Sequence, residues 1–333
     1  MKVFVSIPEK SDVFNTFIDK DARKYLEKRF EVSYLKGEKQ LAEESFREAV
    51  CGCDAVITGW GHAFITQDML KDTFVKYIAH TGGSVASLVS QEVYQKGVRV
   101  FSGNEIYAQS VAEGTVMYIL MGLRRAPDYI KKVKNGGWAQ SGDYTKGLLK
   151  RNVGIIGFGA IARHLVQKLA PFDAKIKIYS SHAIDKDFLE RYNASQVSLD
   201  EALKCDVVSL HSALNEKTKG MIGKEQLRKI KDGALFINTA RGRIVDEKAL
   251  ICELEKNRFD AVLDVYENEP LQKDSPLRRM ENVYPMPHMA GPTIDLRQYI
   301  TIKLADNLLE AKDGKITPLE ISGEYVKRMT VGG

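Results

Sequence analysis

The stretch VGIIGFGAIARHL, residues 153–165, decides how the rest of the chain is read. It opens on an apolar run of the kind found in strands that are buried on both faces. It then turns through Gly157-x-Gly159-x-x-Ala162, and Ile161, Leu165 and Leu169 follow at helical spacing. The predicted order is strand, tight turn, helix. Gly157 permits the turn, Gly159 lets the backbone approach a pyrophosphate, and Ala162 is small enough for helix and strand to pack closely. The first helical amides, those of Ala160 and Ile161, would face the phosphates, and the helix dipole favours their charge. A bare glycine pattern is weak evidence and its bland reading is a structural turn. In this setting it points to a dinucleotide.

Working outward, the chain alternates short apolar runs with amphipathic stretches. The runs are KVFVSI (2–7), FEVSYL (30–35), AVITGW (55–60), YIAHTG (77–82) and VRVFSG (98–103), then NVGIIGF (152–158), KIKIYS (175–180), VVSLH (207–211), ALFINTA (234–240), AVLDV (261–265) and VYPMP (283–287). That alternation predicts parallel sheets with helices on both faces. A long helix is expected between the halves, from about 108 to 125, and a last one from about 295 to 312. With 333 residues the chain exceeds what one core usually holds, so two domains are expected.

Composition excludes several classes. At 44% hydrophobic and 28% charged residues the chain reads as an ordinary globular protein. The net charge of +5 is scattered, so it argues for small anions rather than nucleic acid. No apolar run approaches a membrane span. The start, MKVFVSIPEK, enters a strand directly, without an apolar leader. Cys51, Cys53, Cys205 and Cys252 show no zinc spacing and read as reduced thiols. A cytoplasmic protein without a metal is expected.

A dinucleotide site usually places an acid about 20 residues beyond its glycines, to bond the ribose 2′-hydroxyl of NAD. Here that place reads Tyr179-Ser180-Ser181-His182, and the nearest carboxylate is Asp185. Ser180 suits either a hydroxyl or a 2′-phosphate. His182 and Lys186 can offset phosphate charge, but the arginine usual in NADP enzymes is missing. NAD and NADP both stay open.

Three residues then stand just past buried strands, at the edge where doubly wound sheets bind ligands. Arg241, in INTARGRIVD (237–246), carries a planar fork that grips carboxylates. Taken alone, it would be a salt bridge. Glu269, in LDVYENEP (263–270), can orient a histidine and stabilise its cation, while Glu267 reads as surface charge. His288 sits in YPMPHMAGPT (284–293), braced by Pro285, Pro287 and Pro292. A lone histidine is more often structural. Together the three supply what reduction of a 2-oxo acid needs: a carboxylate grip, a proton donor and a group to orient it.

GFGAIA, INTARGRIVD, LDVYENEP and PHMAGPT stand in the order and spacing of the D-isomer-specific 2-hydroxyacid dehydrogenases, which the chain resembles over most of its length. TGGSV (81–85) and SVAEG (110–114) carry a looser likeness in the N-terminal half. The resemblance implies that Arg241, Glu269 and His288 are the catalytic set and that Asp264 holds the nicotinamide carboxamide. Ala240 would line the cofactor, and Gly83 and Ser84 would offer backbone amides to the substrate carboxylate, although an ordinary turn is the plain reading of Gly82-Gly83. It also implies two doubly wound α/β domains with the active site in the cleft. A flavodoxin-like substrate domain would comprise 1–103 with 298–333, and a Rossmann-type coenzyme domain 104–297. A homodimer built through the coenzyme domain is expected.

Two departures stand out: Ser180 replaces the usual aspartate, and His211 lacks the proline that often follows it in the family. His211 fits the nicotinamide side of the site or the core equally well. Trp60, after a substrate-domain strand, reads as pocket wall or core. Rival readings are a corepressor-like protein that binds dinucleotide without turnover and formate dehydrogenase, which would carry glutamine where Glu269 stands. A third is phosphoglycerate dehydrogenase, which often has a further domain. Glyoxylate, hydroxypyruvate, pyruvate and bulkier 2-oxo acids are all candidate substrates.

Overall fold

The computed structural model describes residues 1–330. The chain divides into two compact units, Met1–Tyr107 together with the segment from Pro292 onward, and Ala108–Gly291. The first holds β1 (Lys2–Val5), α1 (Phe14–Phe17), α2 (Lys20–Arg29), β2 (Glu31–Tyr34), α3 (Glu43–Val50), β3 (Ala55–Thr58), β4 (Tyr77–His80), α4 (Gln91–Gln95) and β5 (Arg99–Ser102). Helix α5 (Asn104–Arg124) begins there and continues into the second unit. That unit carries α6 (Ala126–Lys134), β6 (Asn152–Ile156), α7 (Ala160–Leu169), β7 (Lys175–Tyr179), α8 (Lys186–Arg191), β8 (Ala194–Gln196), α9 (Leu199–Leu203) and β9 (Val207–Leu210). It ends with α10 (Lys224–Lys229), β10 (Leu235–Asn238), α11 (Glu247–Leu254), β11 (Asp260–Leu263) and β12 (Val283–Pro285). Helices α12 (Ile294–Lys312) and α13 (Gly323–Val326) return to the first unit.

Both sheets are wholly parallel. The first runs β2-β1-β3-β4-β5, the flavodoxin-like order, and the second β12-β11-β10-β9-β6-β7-β8, the order of a dinucleotide-binding sheet extended by one strand. All eleven apolar runs read from the sequence are strands. β8 escaped that reading because it is a half-exposed polar edge strand, Ala-Ser-Gln, with no apolar pattern to detect. The helix expected over 108–125 begins four residues earlier, and Arg125 ends it in a left-handed conformation, φ 51°.

The second unit packs two cores, one on each face of its sheet. One gathers Ile155, Leu165, Val166 and Leu169 with Tyr118 and Ile119 of α5. The other gathers Ile156, Leu210, Phe236, Leu250 and Leu254. Strands covered on both faces explain the near-continuous apolar runs. The order of β6 and β9 makes them the switch point, where the first strands run one way across the sheet and the later ones the other.

Candidate active site

Strands β10, β11 and β12 are neighbours, and the loops past their ends carry Arg241, Glu269 and His288 respectively. The structure joins the last two directly. Nδ1 of His288 lies 2.6 Å from Oε2 of Glu269, and the other carboxylate oxygen accepts the Tyr266 amide at 3.1 Å. Glu269 is thus fixed at both oxygens, and its peptide to Pro270 is cis. With Nδ1 engaged, Nε2 is the nitrogen left to exchange a proton with a ligand.

Arg241 feels the charge of Glu269, while burial pulls its guanidinium below its ordinary range. Nη1 donates to the Ala240 carbonyl at 2.7 Å, and Nε is buried with no acceptor. A buried donor without a partner is uncommon and asks for an explanation. Gly242 explains how the loop reaches this place. A Cβ there would stand 1.9 Å from the carbonyl carbon of Tyr266, so only glycine lets the loop past β10 lie against the one past β11.

His288 adopts φ 53°, a left-handed conformation uncommon outside glycine and asparagine. The three prolines are therefore only part of what holds it. Asp264, buried at the end of β11, accepts the amides of Met289 and Ala290, both at 2.9 Å, and the Tyr118 hydroxyl at 2.9 Å. Asp264 clamps the histidine loop, a role invisible in the sequence. Three of its roughly four acceptor positions are taken. Helix α5 completes the brace. Ser110 donates to the Gly291 carbonyl at 3.1 Å, Gly114 packs on Ala290, and Thr115 bonds Thr239 at 3.2 Å. The SVAEG stretch thus has its own purpose: it presses α5 onto the loops past β10 and β12.

The glycine loop fits a dinucleotide. Gly157 has φ +99°, and a Cβ there would stand 2.6 Å from the Ser212 nitrogen, past β9. A Cβ on Gly159 would meet nothing within 4 Å, so its face is open, and it caps α7 without a side chain. The amides of Phe158, Gly159, Ala160 and Ile161 find no acceptor among the described residues. Ala162 is fully buried, as close packing of α7 requires. Ala240 lies in the buried turn after β10, its amide bonded to Asn238. His211 bonds Ser209 through Nε2 at 2.8 Å, and its buried Nδ1 has no partner; burial pushes its pKa down to about 3. It is a neutral imidazole set into the β9 end.

In the first unit, the carbonyls of Gly82 and Gly83 are taken by Gly103 N–H and Ser102 O–H, whereas the amides of Gly83 and Ser84 have no acceptor among the described residues. The Ser84 hydroxyl is bound to the Thr330 carbonyl. His80 shapes this turn. It bonds Thr58 at 3.0 Å and fills the space where a Cβ of residue 82 would go, so Gly82 is obligatory. Trp60 packs edge-on to Phe17 at 4.9 Å and lies under the Arg297 guanidinium at 4.8 Å, a contact that sequence spacing does not suggest.

No group of side chains that could hold a metal occurs among the described residues, and none of their helices is long and apolar enough to cross a membrane. The family model of the D-isomer specific 2-hydroxyacid dehydrogenase NAD-binding domain matches residues 116–290. The chain belongs to the D-isomer specific 2-hydroxyacid dehydrogenase family. It is an enzyme of that family, an oxidoreductase with a dinucleotide-binding domain. It is 29% identical to a glyoxylate reductase of Korarchaeum cryptofilum over 91% of this chain and 92% of that protein. It is 36% identical to a glyoxylate/hydroxypyruvate reductase B of Cronobacter sakazakii over 67% of this chain and 70% of that protein. Among solved structures, a glyoxylate reductase from Paecilomyes thermophila shares the fold with a TM-score of 0.77 at 23% identity, covering 97% of this chain and 99% of that one.

Proposed function

We propose that this dehydrogenase reduces a small 2-oxo acid to the D-2-hydroxy acid, with His288, Glu269 and Arg241 as the catalytic set. The nicotinamide cofactor, when bound, supplies the hydride to C2. Gly157, Gly159, Ala160 and Ile161 hold its pyrophosphate, and the one free acceptor position on Asp264 suits the nicotinamide carboxamide. Arg241 grips the substrate carboxylate and polarises the ketone. His288 gives its Nε2 proton to the carbonyl oxygen, and Glu269 holds the ring and its charge. In the reverse direction His288 takes the proton back. The observation that carries this reading is the His288–Glu269 pair at 2.6 Å beside a partly buried Arg241 whose buried Nε lacks an acceptor.

Glyoxylate and hydroxypyruvate head the substrate list, since they name the activities of the two relatives. A homodimer is part of the same reading. Ile130, Val133, Trp138, Tyr144 and Leu149 of the second unit are large apolar side chains left exposed, which supports a partner surface there. One preparation tests both statements: its mass by light scattering, and its oxidation of NADH and NADPH with a panel of 2-oxo acids. Turnover by a species of twice the chain mass is expected. Dinucleotide binding with silence across the panel would overturn the enzymatic assignment in favour of a regulatory protein. A monomer that turns over would overturn the dimer alone.

A further inference from the structure

Resting on that dinucleotide site, we infer that the chain selects the 2′-phosphorylated cofactor, NADP(H), through Ser180, Ser181 and His182 after β7 and through Arg163 on α7. Three observations carry it. The first is that no carboxylate is left at the end of β7. Asp185, the nearest acid, accepts the Phe188 amide at 2.9 Å as the cap of α8, so it is committed to the helix and not to a ribose.

The second is the way the loop is built. Gln196 of β8 accepts the Ile184 amide at 3.0 Å and donates to the carbonyls of Ser180 at 3.3 Å and His182 at 2.9 Å. The His182 amide is turned back onto the Ser180 hydroxyl at 3.1 Å. One amide side chain therefore absorbs the carbonyls that would repel a phosphate. The side chains of Ser181 and His182 stay exposed, both able to donate to phosphate oxygens. The edge strand that sequence patterning missed is the piece that sets this loop.

The third is an arginine reached through space. The sequence shows none after β7. In the structure the Arg163 guanidinium lies 4.5 Å from the ring centroid of Phe158, inside the glycine loop, and 5.6 Å from that of Phe188 on α8. Phe158 and Phe188 pack on each other at 5.2 Å. The two aromatic rings thus tie the loop past β6 to the helix past β7, and Arg163 roofs both without a carboxylate partner among the described residues. A guanidinium held against aromatic rings rather than by a carboxylate keeps N–H groups free for a phosphate. Where the usual aspartate would repel a 2′-phosphate, this corner offers hydroxyls, an imidazole and a guanidinium.

The test is direct binding to the full-length protein, read by quenching of tryptophan fluorescence, with NADPH, NADH and the fragments adenosine 2′,5′-bisphosphate and AMP. Tighter binding of NADPH over NADH by about tenfold or more is expected, with the same order for the two fragments and a steeper loss with salt for the phosphorylated members. Ser180→Asp should reverse the order, and Arg163→Met should weaken NADPH about fivefold while leaving NADH unchanged. Equal affinities, or tighter NADH, overturn the inference. The fragment pair on the unaltered protein decides it even if a variant does not fold. Binding of neither dinucleotide overturns the underlying site as well, which separates the two failures.

Discussion

A left-handed backbone at a residue with a side chain costs about 1 kcal/mol, and at His288 that conformation is maintained by its two successors in the chain. The amides of Met289 and Ala290 are both bound to the buried Asp264 carboxylate. The imidazole is therefore aimed by the carboxylate at the end of β11 as well as by Glu269. This separates backbone from chemistry in an experiment. Asparagine tolerates the left-handed region, so His288→Asn should leave Tm within about 2 °C while kcat falls by about 10²–10⁴, the usual worth of a general acid. Near-normal kcat in that variant would remove His288 from the mechanism. At this scale the sequence was legible wherever a residue's place depends on its own strand: Arg241, Glu269 and His288 each stand just past a buried apolar run. It was silent on Asp264 as a clamp and on Arg163 over two rings, because those depend on which loops meet.

Helix α5 shows the same limit one level up. Its existence was legible from a long apolar stretch, and SVAEG was visible as a motif, but its purpose comes from the surface it meets. A Cβ on Gly114 would stand 3.1 Å from the Ala290 Cα, close enough that the loop must shift by a few tenths of an ångström. Two effects then oppose each other in Gly114→Ala. Helix propensity gains about 1 kcal/mol, and overpacking loses about 1–3 kcal/mol. The stability change should be small, under about 3 °C in Tm, whereas kcat should drop roughly tenfold because placement errors near the reacting atoms are amplified. Gly242→Ala is the contrasting case: its Cβ would overlap the Tyr266 peptide, leaving nothing flexible to move. That variant should lose both stability and turnover. Equal effects of the two substitutions would show that α5 only supports the fold and does not set the loop.

Across the whole chain, each unit buries one histidine near the end of a central strand, and burial keeps both neutral. The pKa of His80, at the end of β4, is pushed down to about 3 by burial and then by the neighbouring His62; that of His211, after β9, is pushed down to about 3 by burial alone. The sheet orders that put them inside were not readable from local pattern, since strand order is a long-range property; only the class, alternating strand and helix, was. The consequence for stability has a definite sign. Below the unfolded value near 6.5 the unfolded chain takes up protons that the folded one refuses, so stability is present above that value and is lost as pH falls toward 3. Each histidine contributes a slope of up to about 1.4 kcal/mol per pH unit. Between pH 6.5 and 5 most carboxylates stay ionised, so the histidines dominate there. Tm should therefore fall steadily from pH 6.5 to 5.0. His80→Asn and His211→Gln, whose amides take the places of the ring nitrogens bonded to Thr58 and Ser209 without titrating, should each flatten that slope. If the double variant loses stability with acid as steeply as the unaltered chain, the two buried imidazoles are not the source.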